Sequence, residues 1–187
     1  HLLASGTKSF CGVIAAAAVE DGLLTWDERV AETLAEWKDH PQKSRITVRH
    51  LLGLTSGLDA GTIGRPPTYA DALAARSKHE PGARFEYGPV PFQVFGELMK
   101  RKLAAKKENA VDYLRRRVLD PIDCRVAIWR SGPDGNPQLP SGALLTAREW
   151  AKFGRWLLQH GRWGDRQLVA EEYLAECLKP GAVNRAY

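Results

Sequence analysis

The sequence has no C-x-x-C pair, and its three cysteines, Cys11, Cys124 and Cys177, lie far apart. That spacing excludes a disulfide framework and a cysteine-rich metal knuckle, and an odd count leaves at least one free thiol per chain. All three read as buried small hydrophobes. Long apolar runs are also missing: the longest, Val13 to Val19, falls well short of the roughly 20 residues that cross a bilayer, so no transmembrane segment is expected. No basic n-region followed by an apolar h-region opens the chain, so localisation cannot be read from a targeting signal. None of the histidines His1, His40, His50, His79 and His160 stands at ligand spacing with another His, Asp or Glu, which argues against a metal site. Internal repeats and low-complexity tracts are absent too.

What is present is the composition of a folded globular chain. The 187 residues, 44% hydrophobic and 26% charged, predict a single domain over residues 1–187 with a sizeable core. A net charge of +5 raises the question of an acidic partner. Its local sources are Arg115 to Arg117 and Lys100 to Lys107, which sit beside apolar residues at helical spacing, so they read as solvated helix faces and not as a nucleic-acid site.

Turn residues divide the chain into mostly helical segments. A first helix is predicted from Gly6 to Glu20, capped by Ser5 and closed at Gly22, which can adopt the left-handed backbone that ends a helix. A second, from about Trp26, would place Val30, Leu34 and Trp37 on one apolar face. Ile46 to Leu58 reads as a short helix running into a Ser-Gly turn, Asp59 to Thr68 as a loop, and Thr68 to Ser77 as another short helix. The turn-rich stretch Lys78 to Pro91 delivers Tyr87 to a helix start, after which Phe92, Phe95, Leu98 and Met99 form a buried stripe. A helix over residues 109–122 breaks at Pro121, and Cys124 to Ser131 partly alternates as a strand does. Thr146 caps a strong helix that Gly161 stops, and a last helix lies near residues 170–178.

The chemistry-bearing pattern is S-x-x-K at Ser5 and Lys8. Residues three apart in a first helical turn share a face, so the Lys8 amine can reach the Ser5 hydroxyl. The positive end of the helix would also favour an oxyanion forming beside that serine. The motif alone leaves open whether Ser5 is a nucleophile or merely a cap with Lys8 in solvent. Two neighbouring patterns are excluded. S-G-T-K-S lacks the G-K-[ST] order of a phosphate loop, and G-L-T-S-G at Gly53 to Gly57 is not the G-x-S-x-G of a nucleophile elbow.

The order of segments resembles the serine β-lactamase and penicillin-binding-protein superfamily, nearest to its class C β-lactamase, D-alanyl-D-alanine carboxypeptidase and esterase branch. The resemblance runs through SGTKSF, AVEDGLLTWDERVAE, ITVRHLLGLTSGL, PGARFEYGPVPFQVFGELM and SGALLTAREWAKFGRWLLQHGRWGDRQLV. It implies an acylated Ser5, a Lys8 that assists its deprotonation, and a Tyr87 that serves as base or proton shuttle. A free phenol ionises only near pH 10, so Tyr87 would need adjacent ammonium charge to work near neutrality. The implied activity is hydrolysis of a β-lactam, a D-Ala peptide or an ester through an acyl-serine, without metal or organic cofactor. The implied partner is a small-molecule or peptide acyl substrate, and the implied compartment is periplasmic or secreted.

Two departures accompany the resemblance. The family's Y-x-N motif carries asparagine where this chain has Pro89, which offers no side-chain donor. The third motif, K-T-G or H-T-G on a strand, is also missing, since Lys179 to Gly181 reads K-P-G in a helix-end context. The expectation is therefore a mostly α chain, the helical portion of an α+β fold, truncated so that the N- and C-terminal sheet strands and most of the antiparallel sheet are absent. A non-catalytic binding or sensor module is the competing expectation. Oligomeric state leaves no clear signal.

Overall fold

The computed structural model describes residues 1–181 and 183–184; the end of the expected domain, 185–187, lies outside the described residues. Seven α-helices, α1 (Lys8–Glu20), α2 (Val48–Leu52), α3 (Tyr69–Ala74), α4 (Val90–Lys102), α5 (Ala110–Leu114), α6 (Ala147–Leu158) and α7 (Glu171–Glu176), alternate with short 3-10 turns. Two antiparallel pairs complete the described part: β1 (Ile128–Trp129) with β2 (Ala143–Leu144), and β3 (Arg162–Trp163) with β4 (Arg166–Gln167). The mostly α expectation holds.

Helix α1 is the centre of the molecule. Phe10, Cys11, Val13, Ile14 and Ala15 to Ala18 are all buried, so it is apolar around most of its circumference, as a helix enclosed by neighbours must be. The four alanines let α5 and α7 pack closely against it. At its start Phe10 meets Trp129, Trp150 and Phe153 at ring-centroid distances of 4.6–5.5 Å, joining α1 to β1 and α6. At its end Gly22 takes φ 69°, where the sequence requires the chain to turn.

The region after Trp26 departs from expectation. Val30, Leu34 and Trp37 are buried as their spacing requires, but they sit in successive 3-10 turns, Val30–Glu32 and Ala35–Trp37. The Val30 N–H donates to the Ile46 carbonyl, and Arg29 bridges Thr47. Pairing with that neighbouring segment takes backbone groups a helix would have used internally.

Two further expectations are corrected. The basic clusters are not simply solvated: Arg117 donates to Glu20, Asp21 and the Leu168 carbonyl, Arg116 grips Glu108 through both carboxylate oxygens, and Lys102 pairs with Glu28. Cys11 and Cys124 are buried, whereas Cys177 is exposed because it stands where the chain leaves α7.

Candidate functional site

The turn that carries Ser5 is shaped by strand pairing before it. Leu2 pairs with Leu144, the Leu145 N–H donates to the His1 carbonyl and the Leu3 N–H to the Ala143 carbonyl, so the chain start lies along the free edge of β2. Ala4 then adopts φ 47°, a left-handed conformation that costs a residue with a side chain. This reverses the backbone into a 3-10 turn, Ala4–Thr7, that leads straight into α1.

Ser5 therefore lies inside a turn and does not cap the helix; neither Leu3 nor Thr7 makes a side-chain cap bond. The three-residue spacing nevertheless places Ser5 and Lys8 on one face. Lys8 Nζ donates to Ser5 Oγ at 3.2 Å and to the Pro140 carbonyl at 3.0 Å. The ammonium also stands 4.9 Å from the ring centroid of Tyr87 and 5.5 Å from that of Phe92, a cation–π arrangement. Buried Thr7 accepts the Ala143 N–H through Oγ1, fastening the turn to β2.

Tyr87 reaches this point on a loop pinned at both sides. The Glu86 N–H donates to the Leu54 carbonyl, and the Glu86 carboxylate lies 3.0 Å from His79 Nε2. On the other side Gly88 is pressed against Ala60: a Cβ there would sit 2.1 Å from the Ala60 oxygen, so only glycine fits. Pro89 is the N-cap position of α4, with Val90 as the first helical residue. The structure thus brings Ser5, Lys8 and Tyr87 together, and all three line a cavity of about 780 Å³ whose walls include Val13, Trp26, Leu52 and Phe92.

The residues beneath the site escape sequence reading. The Pro140 carbonyl, 132 positions from Lys8, has no side-chain signature. Gln93, only 1% exposed, accepts the Leu139 N–H at 3.2 Å and donates to the Pro67 carbonyl at 2.6 Å. A polar residue inside the Phe92–Met99 stripe was its one available signal. Cys11 is close enough to feel Lys8, but burial pushes its thiol up far beyond the ordinary range, which keeps it neutral and unreactive. Among the described residues no three His, Cys, Asp or Glu side chains converge as metal ligands would. The groups at hand are a hydroxyl, an ammonium and a phenol, a set suited to acyl transfer.

A family model described as Beta-lactamase matches residues 1–177. No curated protein matches the chain. Solved structures sharing the fold include a candidate beta-lactamase from Bacteroides dorei DSM 17855, at 22% identity and TM-score 0.77 over 94% of this chain and 55% of that one. A D-stereospecific amidohydrolase from a Streptomyces species matches at 18% identity and TM-score 0.75 over 100% of this chain and 67% of its own. A beta-lactamase from Mycobacterium bovis matches at 27% identity and TM-score 0.65, over 94% and 52%. The chain spans about half the length of the Bacteroides and Mycobacterium proteins.

Proposed function

We propose, for a chain that belongs to the beta-lactamase family of serine hydrolases, that Ser5 is the nucleophile of a covalent acyl-serine pathway with Lys8 and Tyr87 as its proton-handling groups. The observation that carries this reading is the shared position of the Lys8 ammonium, hydrogen-bonded to Ser5 Oγ and seated over the Tyr87 ring. Ser5 is exposed to the cavity, so a carbonyl carbon can approach Oγ while Lys8 stays beneath it.

In the proposed sequence Ser5 Oγ forms a bond to the acyl carbon as its proton passes to the Lys8–Tyr87 pair. As found, Lys8 donates to Ser5, so the pair takes up the serine proton from the form in which it has already released one proton to solvent, either as a neutral Lys8 amine or as a Tyr87 phenolate beside the ammonium. The leaving alcohol or amine takes that proton as its bond to the acyl carbon breaks, and water then hydrolyses the acyl-serine. The substrate is a β-lactam, a D-Ala peptide or an ester. Pro89 supplies no side-chain donor at the family's asparagine position, which favours an ester over an amide.

Pro89 also supports a second reading, a binding or sensor module of the same fold without turnover. Labelling of the complete gene product with a fluorophosphonate and with a penicillin probe, read by peptide mass spectrometry, separates the two. The hydrolase reading expects an adduct on Ser5 that Ser5→Ala abolishes. An intact, folded protein that both probes leave unlabelled would refute it.

A further inference from the structure

The segment from Pro137 to Ala143 does more than connect β1 to β2, because its Pro140 carbonyl accepts from the Lys8 ammonium. Backbone bonds hold the segment on either side of that carbonyl: the Gln138 N–H donates to the Arg130 carbonyl, and the Gly142 N–H and Trp129 Nε1 donate to the Gln138 carbonyl. A side chain from another element adds to them at the residue immediately before Pro140. Leu139 gives its N–H to Gln93 Oε1 at 3.2 Å, while its carbonyl faces the Cys11 thiol at 3.7 Å. Pro140 adds a ring-fixed φ, and the Gly142 N–H to Gln138 carbonyl bond closes the turn around its remaining torsion, so with Leu139 clamped the Pro140 carbonyl is held in direction.

Gln93 is itself held at both ends. Its Nε2 donates to the Pro67 carbonyl at 2.6 Å, just before α3, and its backbone N–H donates to Pro89 at the head of α4. Gln93, Leu139 and Pro140 are all buried, so solvent does not substitute readily for a lost bond.

We infer that Gln93 is a positioning residue for Lys8: its amide fixes Leu139, and through Leu139 the Pro140 carbonyl that holds the ammonium beside Ser5. The inference rests on the reading of Ser5 and Lys8 as the reacting pair, and it predicts an effect on the bond-forming step and not on substrate capture. Loss of Gln93 Oε1 leaves the buried Leu139 N–H unpaired while Gly142 and Trp129 still hold the Gln138 carbonyl of the same peptide, so the chain relieves the loss by shifting at Leu139 and Pro140. The ammonium then settles differently against Ser5 and the Tyr87 ring.

Two measurements test this on Gln93→Met, which keeps length and removes the strong acceptor, and on Gln93→Glu studied at low pH, where the protonated acid keeps an acceptor for Leu139 and a donor for the Pro67 carbonyl. The first is the lysine side-chain NMR signal of Lys8, assigned by its disappearance in Lys8→Met, which reads placement whether or not the protein turns over. It moves in Gln93→Met and returns toward the wild-type position in Gln93→Glu. The second is fluorophosphonate inactivation: the maximal rate falls about tenfold or more in Gln93→Met while the half-saturating concentration stays within about twofold, as misplacement without lost binding requires. Tyr69→Phe, which removes the hydrogen bond to the nearby Pro137 carbonyl, is the control and leaves the Lys8 signal in place. A folded Gln93→Met protein with an unmoved Lys8 signal overturns the inference, as does an equal shift in Tyr69→Phe. Absence of any adduct on wild-type Ser5, with the Lys8 signal still sensitive to Gln93, instead overturns the hydrolase reading alone.

Discussion

Gly96 sits in the middle of α4, where a glycine costs about 1 kcal/mol relative to alanine, and the structure makes a definite prediction about replacing it. A Cβ at this position would lie 2.2 Å from Tyr69 Oη and 2.4 Å from Tyr69 Cζ. Tyr69 cannot simply step aside, since it is 3% exposed and its hydroxyl donates to the Pro137 carbonyl at 3.0 Å. Gly96→Ala therefore forces the ring out of its slot, at about 1–3 kcal/mol for overpacking. The abandoned Pro137 carbonyl adds about 1–3 kcal/mol, and better helix propensity returns about 1 kcal/mol. The net expectation is a loss of about 3 kcal/mol, or about 6–12 °C in melting temperature for a chain of this size. Urea unfolding followed by circular dichroism and tryptophan fluorescence measures it. In a Tyr69→Leu background the same substitution becomes neutral or stabilises by up to about 1 kcal/mol, because the clash has been removed. A Gly96→Ala protein as stable as wild type refutes the reasoning, and a penalty undiminished by Tyr69→Leu shows that the cause lies elsewhere.

Two other perturbations follow from the same structure. Thr47 and His50 form a reciprocal cap on α2 in which neutral His50 Nδ1 accepts the Thr47 N–H, and burial holds His50 below the ordinary histidine range. The folded state then binds fewer protons than the unfolded one, so this stabilisation is present above about pH 6.5 and is lost as pH falls through the folded value. His50→Gln keeps an acceptor in the capping box without titrating, and flattens the fall in stability that sets in below about pH 6.5. An unchanged slope would remove His50 as its source. Arg117→Ala leaves Glu20 and Asp21 without their shared guanidinium; because the arginine side chain is 19% exposed, the expected loss is about 2 kcal/mol, below the range for fully buried pairs. Chemical denaturation checks it, and a change under about 0.5 kcal/mol would mean that solvent already screens the pair.

Legibility in the sequence followed locality. The Thr146 cap and the amphipathic course of α6 arise within a few residues and are found where the pattern puts them, whereas the stop comes earlier than Gly161: α6 ends at Leu158 and His160 already takes the left-handed φ of 52°. The stretch after Trp26 fails because its apolar spacing records burial correctly but not the backbone pairing with residues 46–48 that displaces a helix. The hairpin of β3 and β4 lies beyond the predicted Gly161 stop and matches no predicted element, although Gly164 at φ 59° supplies the left-handed turn that such a hairpin needs. Pro121 did mark the end of its helix, but the turn before it, Arg115–Leu119, is π-helical, with the Asp120 N–H reaching back to Arg115. No local preference announces that widening.

The candidate site divides along the same line. Ser5 and Lys8 were legible because a three-residue spacing is itself a geometry, and Tyr87 became legible through the order of whole segments. A carbonyl such as that of Pro140 is common to every residue, so its direction is written only in whatever holds it. Those holders still leave a trace, because each breaks a local rule: Gly96 weakens a helix interior and Gln93 buries an amide in an apolar stripe. They stand three residues apart on α4 and serve one segment, Gly96 by admitting the Tyr69 ring that reaches Pro137 and Gln93 by gripping Leu139. The two contacts meet that loop at different points: the Tyr69 hydroxyl anchors its start at Pro137, and Gln93 grips the residue next to the carbonyl beneath Lys8, so of the two inconsistencies on this helix face the buried amide is the one tied to the site and the glycine the one tied to the core.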